Sequence, residues 1–222
     1  MYIGAIDIET FCPDGVPPDG DFTRSEYFEP FAIGVGRYNT KTENVTSDIL
    51  FRRGDESQKW TCEMIKQANE WFTTHPVDAV ITYNGNHFDK PHLLSWANEC
   101  GRGDKMESLF ETHIDLFQTA GSEKYKFEDV CVINGIYPDS TKYSDYDFST
   151  KIHGTTTPSV SNKHIGTFIA ERYIELIESD IHSSYELFQL KSLIYDYTIS
   201  DIDPLFELYE QTPESHVHKD TV

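Results

Sequence analysis

The sequence predicts a mixed α/β domain in which an antiparallel meander runs into further strands and helices cover the sheet. Strand-like and helix-period runs follow one another as three strands, helix, strand, helix, strand and helices. The first three strand-like runs are separated by turn-rich stretches rather than by helices. The fourth, "DAVITYNG" (78–85), is apolar through its centre, as a strand buried on both faces requires.

The opening strand ends in "GAIDIET" (4–10), where alternation puts Ile3, Ala5, Asp7 and Glu9 on one face and Gly4, Ile6 and Ile8 on the other. The Pro-, Gly- and Asp-rich stretch 11–30 reads as a long loop. "FAIGVGRYN" (31–39) and "ENVTSDILFRR" (43–53) are strands joined by a turn at Asn39 to Glu43. Residues 57–75 carry Trp60, Met64, Ala68 and Trp71 at helical spacing, a core stripe. "FDKPHLLSWANECG" (88–101) is a helix that tolerates Pro91 in its first turn and stops at Gly101. "THIDLF" (112–117) reads as a strand and "YKFEDVCVINGI" (125–136) as a helix. Residues 137–163 are polar and turn-rich, a loop or irregular hairpin, and helical pattern resumes at 164. Near the C-terminus, Asp203 before Pro204 is expected to start a new helix or kink the existing one. One domain over 1–210 and a frayed polar tail over 211–222 are expected.

Composition sets limits on function. With 222 residues, 38% of them hydrophobic and 14% aromatic, the chain can bury a full core as one domain. Its cysteines, Cys12, Cys62, Cys100 and Cys131, form no C-x-x-C pair or zinc pattern, and read as free thiols in a reducing compartment. No leader pattern opens the chain and no apolar run can span a bilayer, so a cytoplasmic protein without a membrane partner is expected. A formal net charge of -20 excludes a broad basic surface that neutralises phosphates. Two explanations fit: a surface suited to high salt, as in a high-salt organism or its virus, or an enzyme that grips only a strand end and leaves the rest to metal ions or a partner. The few cations, among them Lys90, Lys151, Lys163 and Lys191, are then expected near the cleft.

Asp7 and Glu9 side by side repel, and a divalent cation removes the conflict. In sheets of this type, sites form outside the carboxyl ends of neighbouring strands. The fourth strand runs into "TYNGNHFDKPHL" (82–93), where Asp89 opens a helix and, taken alone, suits a cap. Further on, Leu190, Ile194, Tyr197, Asp201, Leu205 and Leu208 fall at spacings of three and four, so one helical stripe carries Tyr197 and Asp201 among apolar neighbours. An acid in such a stripe needs compensation, and a metal is one natural form of it.

"AIDIET" (5–10), "TYNGNHFDKPHL" (82–93) and "YTISD" (197–201) resemble, in order, the three motifs of the 3′–5′ exonuclease domain of family B DNA polymerases and their stand-alone relatives in the RNase H-like superfamily. The likeness runs from about residue 1 to about residue 210 and leaves no room for a polymerase. Tyr125 with Asp129 and Tyr143 with Asp147 repeat the third spacing, but only Tyr197 and Asp201 lie on the periodic C-terminal helix. None of the nine histidines has an Asp five residues on, which favours the tyrosine subclass over the histidine one. The resemblance implies an RNase H-like sheet and a two-metal phosphodiesterase. Asp7 would bridge two Mg²⁺ or Mn²⁺ ions, Glu9 and Asp201 would serve the ion that activates water, Asp89 the second ion, and Tyr197 would orient the water. Thr10 and Phe11 would hold the terminal nucleotide, Asn84 and Phe88 would contact the adjoining strand, and Asp115 would be structural. The implied substrate is the 3′ end of single-stranded DNA, in proofreading for a polymerase or in end processing beside another replication or repair protein. An RNA 3′–5′ exonuclease and an inactive RNase H-like interaction module remain open alternatives.

Overall fold

The computed structural model describes residues 1–13, 17, 20–54, 56–119, 126–137, 169–178 and 185–212. The strands are β1 (Tyr2–Phe11), β2 (Glu29–Asn39), β3 (Asn44–Phe51), β4 (Ala79–Thr82) and β5 (His113–Asp115). The helices are α1 (Ser57–Thr74), α2 (Asp89–Glu99), α3 (Gly103–Leu109), α4 (Leu116–Thr119), α5 (Phe127–Ile133), α6 (Ala170–Glu178) and α7 (Tyr185–Gln211). The strands form one sheet in the order β3-β2-β1-β4-β5. Strands β1 to β3 pair antiparallel, while β4 pairs parallel with both β1 and β5. This is the expected mixed sheet, with an antiparallel half and a parallel half that meet at β1.

Alternation along the strands decides what each helix covers. Ile6, Ile8, Ile33, Val35 and Val80 face α1, α2 and α3, which contribute Met64, Leu93, Trp96 and Met106. On the other face, Ile3, Ala5 and Ile81 meet Val130 of α5 and Ile202, Leu205 and Phe206 of α7. Ala32 and Ile49 on that face meet Tyr173 of α6 with Leu190 and Ile194 of α7. All four residues of β4 are buried, as its unbroken apolar pattern required.

Two glycines set how closely α7 lies on the sheet. A Cβ at Gly34 would stand 2.6 Å from Thr198 Cγ2, and one at Gly36 2.8 Å from Ile202 Cγ2. Gly34 lies directly opposite Asp7 and Gly36 opposite Ala5, so α7 crosses β2 where the strand beside it carries its first acid.

Several expectations are corrected. "THIDLF" is strand only to Asp115, whose carboxylate accepts the Phe117 N–H at 3.1 Å and turns the chain into α4. Helix α3 was not expected; only Gly103 and Met106 in it are buried, too little to write a period. Pro204 neither restarts nor ends α7. Asp203 accepts a 2.6 Å hydrogen bond from Ser47 Oγ of β3, and Ile202, Leu205 and Phe206 are buried, so packing outweighs the lost backbone bond. The cysteines are not all free: Cys62 of α1 and Cys100 after α2 form a disulfide with Cα atoms 5.3 Å apart, while Cys12 and Cys131 are buried thiols. A sequence separation of 38 hid that these two helices pack in one cluster. Beyond Tyr137, the polar stretch expected as a loop lies outside the described residues, as does the tail after Thr212.

Gly34→Ala is expected to destabilise the fold by about 1–3 kcal/mol, because the added methyl meets Thr198 and Ile202 rather than open space. Urea unfolding of the variant beside the wild type measures it, and an unchanged midpoint would show that α7 is not seated by this contact.

Candidate metal centre

Asp7 and Glu9 lie on the face of β1 that α7 covers, and Thr198 sits over Gly34. Asp201 follows three residues later, close to one helical turn, and so reaches the same end of the strand. Carboxylate oxygens of Asp7, Glu9 and Asp201 all lie within 4.8 Å of one another, a group that can hold a metal ion. Asp89 arrives from the opposite layer. Strand β4 pairs with β1 only as far as Ala5 opposite Ile81, and beyond that point the Ile8 N–H donates to Asp89 Oδ1 at 3.2 Å. Asp89 stands beside Asp7 but outside the group of three.

The turn that delivers Asp89 is held by Asp115. Its carboxylate accepts the N–H groups of Asn84 at 2.8 Å and Asn86 at 2.9 Å. Asn84 adopts φ 61°, which asparagine tolerates better than most residues, and Gly85 lies so close to Thr82 that a Cβ would stand 2.2 Å from its hydroxyl. Asp115 is therefore structural, as expected, and acts on the site through the turn.

Burial and mutual repulsion dominate the electrostatics. Burial pushes Asp7 up to about 6, against the opposing pull of the Ile8 N–H. Glu9 is raised well above the usual carboxylate range by burial, then by Asp7 and Asp201, and Thr198 alone opposes this. Asp89 is raised by burial and then by Asp7; Asp201 by burial, then by Asp7 and Glu128, with the Tyr197 hydroxyl donating a hydrogen bond that opposes the shift. Tyr197 is itself raised, first by burial and then by Glu9 and Asp201, so its phenol stays protonated at neutral pH and acts as a donor. No cation figures among the causes of these four carboxyl shifts. An all-oxygen donor set compensated by a few hydrogen bonds but by no neighbouring cation fits a hard divalent ion.

Asp7, Asp89 and Asp201 open into a cavity of about 640 Å³ that Asn84 and Phe88 also line, while Glu9 does not line it. Phe88 is partly buried, with its ring 5.7 Å from Phe28 and 4.3 Å from His92. Phe11 is placed otherwise than expected: it is buried with Phe31, Ala32 and Ile49 in the cluster under α6 and α7, and does not line the cavity. Thr10 does not line it either, and the pairing of β1 with β2 shifts register between Glu9 and Thr10. Lys90 lies near the Phe110 ring and Lys191 near Phe51, while Lys151 and Lys163 fall outside the described residues. Among the described residues, Lys126 is the cation that lines the cavity, beside Glu128 from the start of α5. Sequence reasoning missed both, and also Thr198, because their inward direction depends on how α5 and α7 dock. The position of Thr198 next to Tyr197 was the one available signal.

Fold and site together define a mixed α/β protein with a buried acidic centre at the carboxyl ends of β1 and β4. No family model matches the chain, and no curated protein matches it by sequence. Among solved structures, the chain is similar to exonuclease I, whose structure is described as suggesting how processivity is achieved. The TM-score is 0.46 at 13% identity, over 62% of this chain and 36% of that one. The chain thus spans little more than a third of that nuclease. Among the described residues, no helix is long and apolar enough to cross a membrane.

The Asp7 shift has a sign that can be tested. Its carboxyl holds a proton more tightly when folded, at about 6, than at the ordinary value of 3.8, so its contribution to stability is present below the lower value and lost as pH rises through the higher. The metal-free protein is expected to lose roughly 5 °C in Tm between about pH 4 and pH 6.5. Asp7→Asn should flatten that slope, and Mn²⁺ should restore stability at the upper pH. Thermal unfolding across pH, with and without chelator, measures all three.

Proposed function

We propose that this chain is a metal-dependent 3′–5′ exonuclease acting on single-stranded DNA, with two Mg²⁺ or Mn²⁺ ions as cofactor. The observation that carries the reading is the convergence of Asp7, Glu9 and Asp201 within 4.8 Å, from a strand and a helix far apart in sequence, with Asp89 beside Asp7. Bound ions of this kind stabilise the attacking and leaving oxygens of a phosphodiester and bring the pKa of water toward neutrality. Asp7 acts electrostatically on Glu9, Asp89 and Asp201 alike, which suits it to serve both ions. Glu9 and Asp201 serve one and Asp89 the other. Tyr197, protonated and hydrogen-bonded to Asp201, orients a water or a phosphate oxygen rather than removing a proton. Asn84 and the Phe88 ring contact the strand next to the scissile bond, and stacking on an aromatic accepts any base.

The charge favours a strand end over a duplex. A formal net charge of -20 works against gripping a long phosphate track, whereas a terminal phosphodiester needs only the ions and a few local contacts, Lys126 at the cavity among them. A polymerase or a repair protein that brings its own basic surface completes this picture, in proofreading or end processing.

The test is digestion of 5′-labelled single-stranded DNA with Mg²⁺, Mn²⁺ or chelator. A ladder shortening from the 3′ end only with metal is expected. Asp7→Ala should lower the rate by about a hundredfold or more, with metal binding lost as well. Tyr197→Phe should lower it roughly a hundredfold and leave metal binding within a few-fold of wild type. Digestion that ignores chelator, or RNA degraded in preference to DNA, would overturn the reading.

A further inference from the structure

Thr198 is fully buried between the two elements that supply the acids. Its methyl rests over Gly34, while its hydroxyl stands 2.8 Å from the Ile194 carbonyl and 3.3 Å from Glu9 Oε1. The carbonyl bond is the ordinary back-bond of a helical threonine, and the one hydroxyl proton is shared between it and the Glu9 carboxylate. The second approach is different in kind. It crosses from α7 to β1 over 189 residues and ends on the carboxylate flanked by Asp7 and Asp201.

We propose that Thr198 is a positioning residue for the metal centre: its hydroxyl fixes the Glu9 carboxylate in the orientation that keeps it grouped with Asp7 and Asp201. The geometry gives three reasons. Glu9 is buried, so few solvent waters are available to hold its carboxylate in place. A single hydroxyl wedged between a helix carbonyl and that carboxylate can turn from one acceptor to the other without moving a heavy atom, so it serves Glu9 with metal present or absent. The back-bond to Ile194 holds the hydroxyl in place, while the methyl seated over Gly34 packs α7 onto the sheet. Hydrogen-bonding partners of metal ligands act in this way, and their loss lowers metal affinity roughly 10- to 100-fold.

The inference rests on the metal-binding part of the proposed function, and a pair of substitutions separates it from packing. Thr198→Val keeps the shape and removes the hydroxyl; Thr198→Ser keeps the hydroxyl and removes the methyl. Mn²⁺ affinity is measured by calorimetry on each full-length protein, beside thermal unfolding in chelator. Thr198→Val is expected to unfold close to wild type in chelator and to bind Mn²⁺ about tenfold more weakly. Thr198→Ser is expected to unfold at lower temperature and to bind Mn²⁺ within about twofold of wild type. Thr198→Ala, which loses both groups, should bind like the valine variant and unfold no higher than the serine one; it stands in should the valine variant not fold. A valine or alanine variant that binds as tightly as wild type, or a serine variant that loses as much affinity as valine, overturns the inference alone. Wild-type protein that does not bind Mn²⁺ overturns the metal centre and this inference with it.

Discussion

Repulsion among carboxylates withdrawn from water is the constraint to which the rest of the structure answers. Asp7, Glu9, Asp89 and Asp201 come from both faces of the sheet to one end of β1, where burial raises each and, for Glu9, Asp89 and Asp201, a neighbouring acid adds to it. Left to itself such a group would spread apart or take up protons. It is held because the elements carrying it are fixed by apolar packing elsewhere: α7 by Ile202, Leu205 and Phe206 against the sheet, and α2 by Leu93, Trp96 and Ala97 in the opposite layer. Core packing therefore offsets the electrostatic cost, and a divalent cation reverses its sign.

Helix α2 shows how Asp89 is delivered to the acidic centre. At its start, Asp115 on β5 grips the backbone of the Asn84–Asn86 turn, and Ile8 donates to Asp89 from β1. At its end, Cys100 is bonded to Cys62 of α1. The Phe88 ring sits between these anchors against Phe28 and His92. Both ends of α2 are tied to different neighbours, so Asp89 cannot move without disturbing the turn, the opposite layer or the disulfide.

What was legible in the sequence follows from the range of the interactions that decide it. The alternation of β1 pairs Asp7 with Glu9 on one face, and the 3.6-residue period of α7 sets Tyr197 and Asp201 in one stripe; both are properties of the backbone and survive folding unchanged. The turn at Asn84 and Gly85 was legible because its chemistry is local. Phe11 was not, since its burial depends on α6 and α7 lying over the strand end after the register shift. Nor was the disulfide, because two cysteines on different helices carry no sign of which helices become neighbours. Thr198 and Glu128 belong to the same class: each is unremarkable along the chain and acquires meaning only from the docking of its helix. Pro204 shows the opposite case, a strong local signal overruled by buried neighbours and the Asp203–Ser47 bond.

Cation binding at the acidic centre and the acidity of the whole chain act over different distances. Ions held at the acidic centre would neutralise charge within a few ångströms, whereas the chain as a whole carries a net charge of -20. At physiological ionic strength the Debye length is about 8 Å, so most of that distant charge is screened from a ligand already in the cavity but still slows the approach of a polyanion. Added salt then works in two directions. For a polyanionic ligand of the kind proposed, it would speed approach by screening the overall repulsion and weaken any phosphate contact that Lys126, at the cavity wall, makes. A basic protein increases salt sensitivity with every lysine it places on phosphate. Under the proposed function, stacking and cation coordination, which depend less on ionic strength, would hold the strand, and they would favour a short segment held firmly over a long one held by charge.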